Sequence, residues 1–458
     1  MIVMKLKDVN MLSGSITKGL IAICAPVMIM NVIQSLFNII DMTVLKTFDA
    51  DGMAVGAVGV CGSVIVLITN LVIGIATGAN VVIAKYIGSR DPERTARAVG
   101  PAIAFSLVSG GVLAIIGISF ADVFLAWINC PEELLGRATL YFRMYFAGVP
   151  LLMVFNFATS VLRASGNAGK IMTISIVGAA VKVCATCVFV AVFQLGVVGV
   201  AISTICSWVV NATWATVSLL RDRGAVKLYT RHIRLYRPEL PQILRIGIPT
   251  GLQMGMFSIA NVLISSTVNS FGPKAATDVS VADIFDGLMY NICCAMSLAV
   301  MPYVSQNIGA GNPKRASRSV GRGILITVII GVVFGELTAI FSGKLASIMS
   351  SDPEIIRYAQ QKMWIVSGTY FICGINDIFS AALRGMGKPV FPTITTLIFM
   401  CGFRFVWVYW IFPLVPNLSF LYLVWPIGWV SCIICAMVVY FPTRKKLLAR
   451  QNVAVGDS

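Results

Sequence analysis

Residues 87–100 read IGSRDPERTARAVG, and residues 308–321 read IGAGNPKRASRSVG. Ile, Gly, Pro, two Arg, Val and a final Gly recur in register at a separation of 221. A second pair keeps that separation: LRASG at 162–166 and LRGMG at 383–387. At the head of each half, Pro26 and Asn38 correspond to Pro249 and Asn261, now 223 apart. Three anchors at nearly one spacing mark a duplicated chain, in which each half is one structural unit built twice.

Apolar runs fill the space around these anchors. Twelve candidate spans fall at 19–45, 54–85, 99–120, 139–161, 171–192, 197–219, 246–270, 278–303, 320–342, 360–382, 389–412 and 419–441. Each is long enough to cross a hydrocarbon core about 30 Å thick at 1.5 Å per residue. Lys and Arg collect in alternate connections: Lys85 to Arg97, Arg163 and Lys170, the stretch 221–245, Lys314 to Arg322, Arg384 and Lys388, and Arg444 to Arg450. The intervening connections hold few cations. Positive connections stay in the cytoplasm, so a multi-pass protein of the cell membrane with both termini cytoplasmic is predicted.

Composition agrees with that class. Of 458 residues, 58% are hydrophobic and only 12% charged, and the mean hydropathy is +0.88. A soluble domain carries about 25% charged residues. The net charge of +16 does not point to nucleic acid, because the cations sit at the ends of apolar runs. Weakly alternating ten-residue strands, the mark of a membrane barrel, are absent from the sequence. There is a single histidine, His232, in a basic connection, and no phosphate-binding glycine loop of the ATPase type. No catalytic cluster, metal site or bound cofactor is therefore expected, and the chain does not read as an enzyme.

Six spans per half is an even number, so both halves enter the membrane from the same side. The expected fold is an all-α polytopic membrane protein, with twelve transmembrane helices in two six-helix bundles related by a pseudo-two-fold along the membrane normal. The expected division is an N-terminal lobe over 1–220, a basic linker over 221–245, a C-terminal lobe over 246–445 and a tail over 446–458. A cleft between such lobes is where transporters bind and rock.

Several polar groups lie inside the apolar runs. Asn31, Gln34, Asn38 and Asp41 follow i, i+3, i+7, i+10 and so share one helical stripe, which must face protein or water rather than lipid. A partly dehydrated carboxylate gains proton affinity from burial and loses it beside a cation, so Asp41 has the two electrostatic states that ion coupling needs. It also lies near the outer end of its span, where an acid touching interfacial water is the alternative. Lys182 lies mid-span in VGAAVKVCATCVFV (177–190) and could sit opposite Asp41. In the second half, Asp283, Asp286 and Tyr290 share a face of span eight, Glu336 lies in span nine and Asp377 in span ten. Asp377 occupies the repeat position of Asn156, and Arg404 lies 222 beyond Lys182. Arg404 could pair with Asp377 or Glu336. These groups, with Asn261, are the expected lining of a substrate cavity. Its acidic balance would favour cations.

The chain resembles the multidrug and toxic compound extrusion (MATE) family of secondary transporters. The likeness rests on the first span from Pro26 to Asp41, on GIATGANVVIAKYIGSRDPERTARA (74–98), VLRASGN (161–167), IGIPTGLQ (246–253), MPYVSQNIGAGNPKRASRS (301–319) and AALRGMGK (381–388). It covers about residues 12–445. It implies export of bulky, often cationic organic compounds in exchange for protons or sodium, with a monomer as the expected working state. It also implies that Asp41 belongs to a cation-coupling site, which Gln34 and Asn38 on the same helical stripe are expected to join, and that Asp377 acts in the second lobe. Two positions depart from the family pattern: Lys182 stands where an Asn is usual and Thr186 where an Asp is usual. With two oxygen ligands replaced, protons are favoured over sodium as the coupling ion. Competing readings are a lipid or polysaccharide-precursor flippase of the wider superfamily, a membrane enzyme and a channel. The first often has extra spans and a cationic cavity, the second lacks a catalytic cluster, and the third lacks a repeated filter sequence.

Overall fold

A chain in lipid must satisfy its backbone internally, so apolar runs of this length become helices. The computed structural model describes residues 9–48, 53–128, 130–222, 224–235, 238–269, 273–349 and 352–456. Among these residues, twelve helices are long and apolar enough to span a membrane. They are α1 (Ile16–Phe48), α2 (Met53–Gly88), α3 (Pro92–Ser119), α4 (Glu132–Ala164), α5 (Ala168–Val192), α6 (Gly196–Leu220), α7 (Glu239–Asn269), α8 (Pro273–Gly309), α9 (Pro313–Ile340), α10 (Pro353–Gly385), α11 (Val390–Leu414) and α12 (Val424–Gly456). The first helix runs past its apolar run to Phe48, which places Asp41 well inside it.

The duplicated motif is a helix start. Asp91 accepts the Arg94 backbone N–H at 2.9 Å and Pro92 opens α3, while Asn312 accepts the Arg315 N–H at 3.1 Å and Pro313 opens α9. The acceptor satisfies an orphan N–H of the first turn, and proline costs nothing there because its missing N–H had no partner. The preceding residue is left-handed in both copies, Arg90 at φ 55° and Gly311 at φ 68°. A side chain there costs about 1 kcal/mol. Gly311→Arg is therefore expected to lower stability by roughly that amount, and Arg90→Gly to raise it by less, since glycine also loosens the unfolded chain. Thermal unfolding in detergent measures both, and a gain from Gly311→Arg would refute the account.

Further features recur that hydropathy did not predict. Short helices Ala121–Trp127 and Ser342–Met349 begin 221 positions apart. Wide π-helical turns at Cys187–Val192 in α5 and Trp407–Ile411 in α11 stand at matching places. In α3, Gly110 lies so close to α4 that an added Cβ would sit 2.6 Å from the Pro150 Cα. In α9, Gly331 meets α10 the same way, at 2.8 Å from the Phe371 Cα. Glycine at these crossings lets the backbones touch, as small residues do between membrane helices.

The chain forms two compact units. One comprises Ile29–Ile87 and Asp91–Gly247, and the other Val9–Met28, Gly88–Arg90 and Ile248–Ser458. The division thus falls inside α1. Residues before Ile29 pack within the second unit: Arg315 donates to the Met11, Ser13 and Gly14 carbonyls, and Gly19 leaves room for Tyr303. The basic connection after α6 packs within the first unit, where the His232 backbone presses on Gly100.

Candidate functional site

In the first unit, Asp41 of the polar stripe is held in an ion pair. Asp41 on α1 is 4% exposed, and the Lys182 ammonium on α5 lies 2.6 Å from its Oδ2. One turn beyond Lys182, the Thr186 hydroxyl donates to Asp41 Oδ1 at 2.9 Å. Thr186 Oγ1 also lies 2.9 Å from Ser203 Oγ on α6 and from the Lys182 carbonyl. A hydroxyl has one proton, and a carboxylate can only accept. The proton of Thr186 therefore goes to Asp41, and Ser203 is left to donate to Thr186 or to the Val200 carbonyl. Oδ2 takes no hydrogen bond with good geometry, so its contact with the ammonium is chiefly coulombic. Such a pair is poorly hydrated and held by three helices.

Asp41 is buried rather than in contact with solvent. The physical reason is the helix length: α1 continues two turns past Asp41, and α5 and α6 cover it. Gln34, two turns below, is half-buried. The side chain of Asn38 lies outside the described residues. Ser203 was not anticipated, since one small hydroxyl in an apolar span carries no distinguishing spacing.

The second unit holds two separate polar groups. In one, Arg404 on α11 is 1% exposed, and its Nη1 lies 2.5 Å from Asn261 Oδ1 on α7. Its guanidinium lies 5.1 Å from the Phe257 ring centre and 5.3 Å from that of Trp425, so two aromatic faces replace a counter-ion. Tyr290 stacks on Phe257 at 6.5 Å. A pairing of Arg404 with Asp377 or Glu336 is not found among the described residues. Position 404 faces α7 and α12, whereas Asp377 lies on α10 beside Asn376 and two turns before Arg384 on the same helix. Glu336 is exposed on α9, within a face that also exposes Val332, Val333 and Leu337. Asn156, the repeat partner of Asp377, turns back to its own helix and bonds the Leu152 carbonyl at 2.9 Å.

The other group surrounds a residue the sequence reading passed over. Lys362 on α10 is buried, and its ammonium bonds Asp283 and lies 3.5 Å from Asp286 Oδ2. The Ser367 hydroxyl donates to Asp286 Oδ1 at 2.6 Å. Asp286 is buried, while the Asp283 side chain is 54% exposed. These carboxylates are thus engaged by a cation rather than left free to face a solute. A lysine nine residues into α10, next to the apolar stretch MWIV (363–366), with two acids at i, i+3 on span eight, was the available signal.

The comparisons agree on family. The sequence matches the MatE family over residues 26–188 and 249–410, one segment in each half. It is 25% identical over 396 residues to the "Probable multidrug resistance protein YoeA" of Bacillus subtilis, covering 85% of each chain. It is 23% identical over 396 residues to the "Probable multidrug resistance protein YpnP" of the same organism, covering 86% of this chain and 88% of that one. Among solved structures, an outward-facing multidrug resistance MATE family transporter of the MOP superfamily superposes with a TM-score of 0.87 at 22% identity, over 97% of this chain and 98% of that one. This chain belongs to the MatE family of multi-pass membrane transporters.

Proposed function

We propose that this transporter exports bulky organic cations in exchange for protons, and that Asp41 and Lys182 form the coupling element of the first unit. The observation carrying this reading is the 2.6 Å contact between the Lys182 ammonium and the Asp41 carboxylate. The ammonium stands where an incoming cation would otherwise sit. Sodium requires several oxygen ligands, and the lysine takes the place of one. A proton needs only a base, and a buried lysine or carboxylate can serve as one. A proton in place of the ammonium at Asp41 would release Lys182, and its departure would restore the pair, giving one unit two states.

The names of the relatives support multidrug export as the substrate class. A monomer with both termini cytoplasmic is part of the same reading, supported by the charge of alternate connections. One observation favours a substrate of the opposite charge: Arg404 makes no ion pair among the described residues. Proteoliposomes with an imposed gradient decide. Ethidium export driven by a proton gradient and indifferent to sodium is expected. Export driven by sodium alone, by neither gradient, or of anionic rather than cationic dyes would overturn the reading.

A further inference from the structure

Away from the Asp41–Lys182 pair, the first unit contains a cavity of about 440 Å³ on its cation-rich end. Its walls include Ser165, Asn167 and Lys170 at the start of α5, Arg221 and Asp222 at the end of α6, and the chain at Gly224 that follows. Asn167 is the residue preceding the first turn of α5, where a side chain ordinarily accepts a helix N–H. It does not do so. It is 5% exposed, and its amide has no partner among the described residues. Its amide lines the cavity and is free to bond an occupant there.

The rest of the lining points to the sign of that occupant. With Asn167 turned away, the first N–H groups of a 25-residue helix are left uncapped, and their partial positive charge favours an anion. Lys170 and Arg221 are exposed and make no ion pair among the described residues. Asp222 opposes them, but its Oδ2 is already held by the Gly224 N–H at 2.9 Å. We infer that this cavity binds a phosphate-bearing anion, with the α5 amides and the Asn167 amide on its oxygens and Lys170 and Arg221 supplying charge. The bound group would fasten the connection after α6 to the start of α5. This inference does not depend on the transported ion or on the substrate.

A second basic cavity, of about 640 Å³, is bounded by Gly14–Thr17, Arg318 and Arg322. Its third arginine, Arg315, is taken up by backbone carbonyls, and no buried side chain there lacks a partner among the described residues. That cavity serves as the control.

The test uses the purified full chain in neutral detergent. Inorganic phosphate, or phosphatidylglycerol against phosphatidylcholine, is titrated at constant ionic strength, and the thermal midpoint is followed. A saturable rise is expected. A rise with phosphate alone assigns a soluble phosphate compound, and a rise with phosphatidylglycerol that phosphate competes away assigns a lipid headgroup. Lys170→Gln with Arg221→Gln should weaken the effective probe at least about tenfold. Asp222→Asn should tighten it, and Arg318→Gln with Arg322→Gln should leave it unchanged. No saturable rise with either probe, wild-type affinity in the Lys170/Arg221 variant, or an equal loss in the control variant would each overturn the proposal.

Discussion

Asp41→Asn is expected to cost the folded transporter about 3 kcal/mol, because it strands the Lys182 ammonium among three helices. That is the low end for a broken buried pair, since the Lys182 side chain keeps 22% exposure and some water. Lys182→Asn leaves the more deeply buried partner alone and should cost up to about 5 kcal/mol. It also supplies a neutral oxygen beside Asp41 and Thr186, so this variant should be stabilised by sodium over potassium at equal ionic strength, as the wild type is not. Asp41→Asn combined with Lys182→Met removes both charges and should recover most of the stability. Proton-driven export should stay abolished in all three. Thermal midpoints and proteoliposome export measure the two effects separately. Equal, mild losses from both single changes, or proton-driven export in the double variant, would remove Asp41 and Lys182 from the mechanism.

A comparably large effect is expected at the helix crossings. Gly110→Leu must push α3 off α4, because the first added carbon already falls within 2.6 Å of the Pro150 backbone and 3.2 Å of Met153. Gly331→Leu meets the Phe371 backbone at 2.8 Å. Backbone cannot rotate aside as a side chain can, so each change should cost about 3 kcal/mol or more and reduce the folded yield severely. The adjacent Gly111 provides the contrast, since a Cβ there has nothing within 4 Å. Gly111→Leu should behave as wild type in size-exclusion profile and thermal midpoint. Tolerance of Gly110→Leu would mean that α3 and α4 do not approach as described.

Much of this architecture was legible without coordinates. The paired IGSRDPERTARAVG and IGAGNPKRASRSVG stretches turned out to be matching helix starts, capped by Asp91 and Asn312. Even the left-handed residues correspond, Arg90 with Gly311 and Gly166 with Gly387. The short helices at Ala121–Trp127 and Ser342–Met349 were not legible, since each is shorter than a hydropathy window and continues an apolar run. Lys182 was visible as a misfit in an apolar span, and the stripe containing Asp41 as a shared face. That the two touch was not visible. Arg404 shows the converse: a candidate partner for an acid, it lies between Phe257 and Trp425.

The linear order of residues by itself determined the membrane class, the number of spans and the duplication. Hydropathy and length suffice for these, because lipid offers the backbone no alternative to the helix. Tertiary structure alone decided which partners the buried charges meet: Asp41 with Lys182, Lys362 with Asp283 and Asp286, Arg404 with the Asn261 amide. Apolar residues surround most of these helices on all sides, so the pattern does not specify how far each helix turns about its own axis. Close contacts such as Gly110 on Pro150 set that rotation, and the rotation sets the partners.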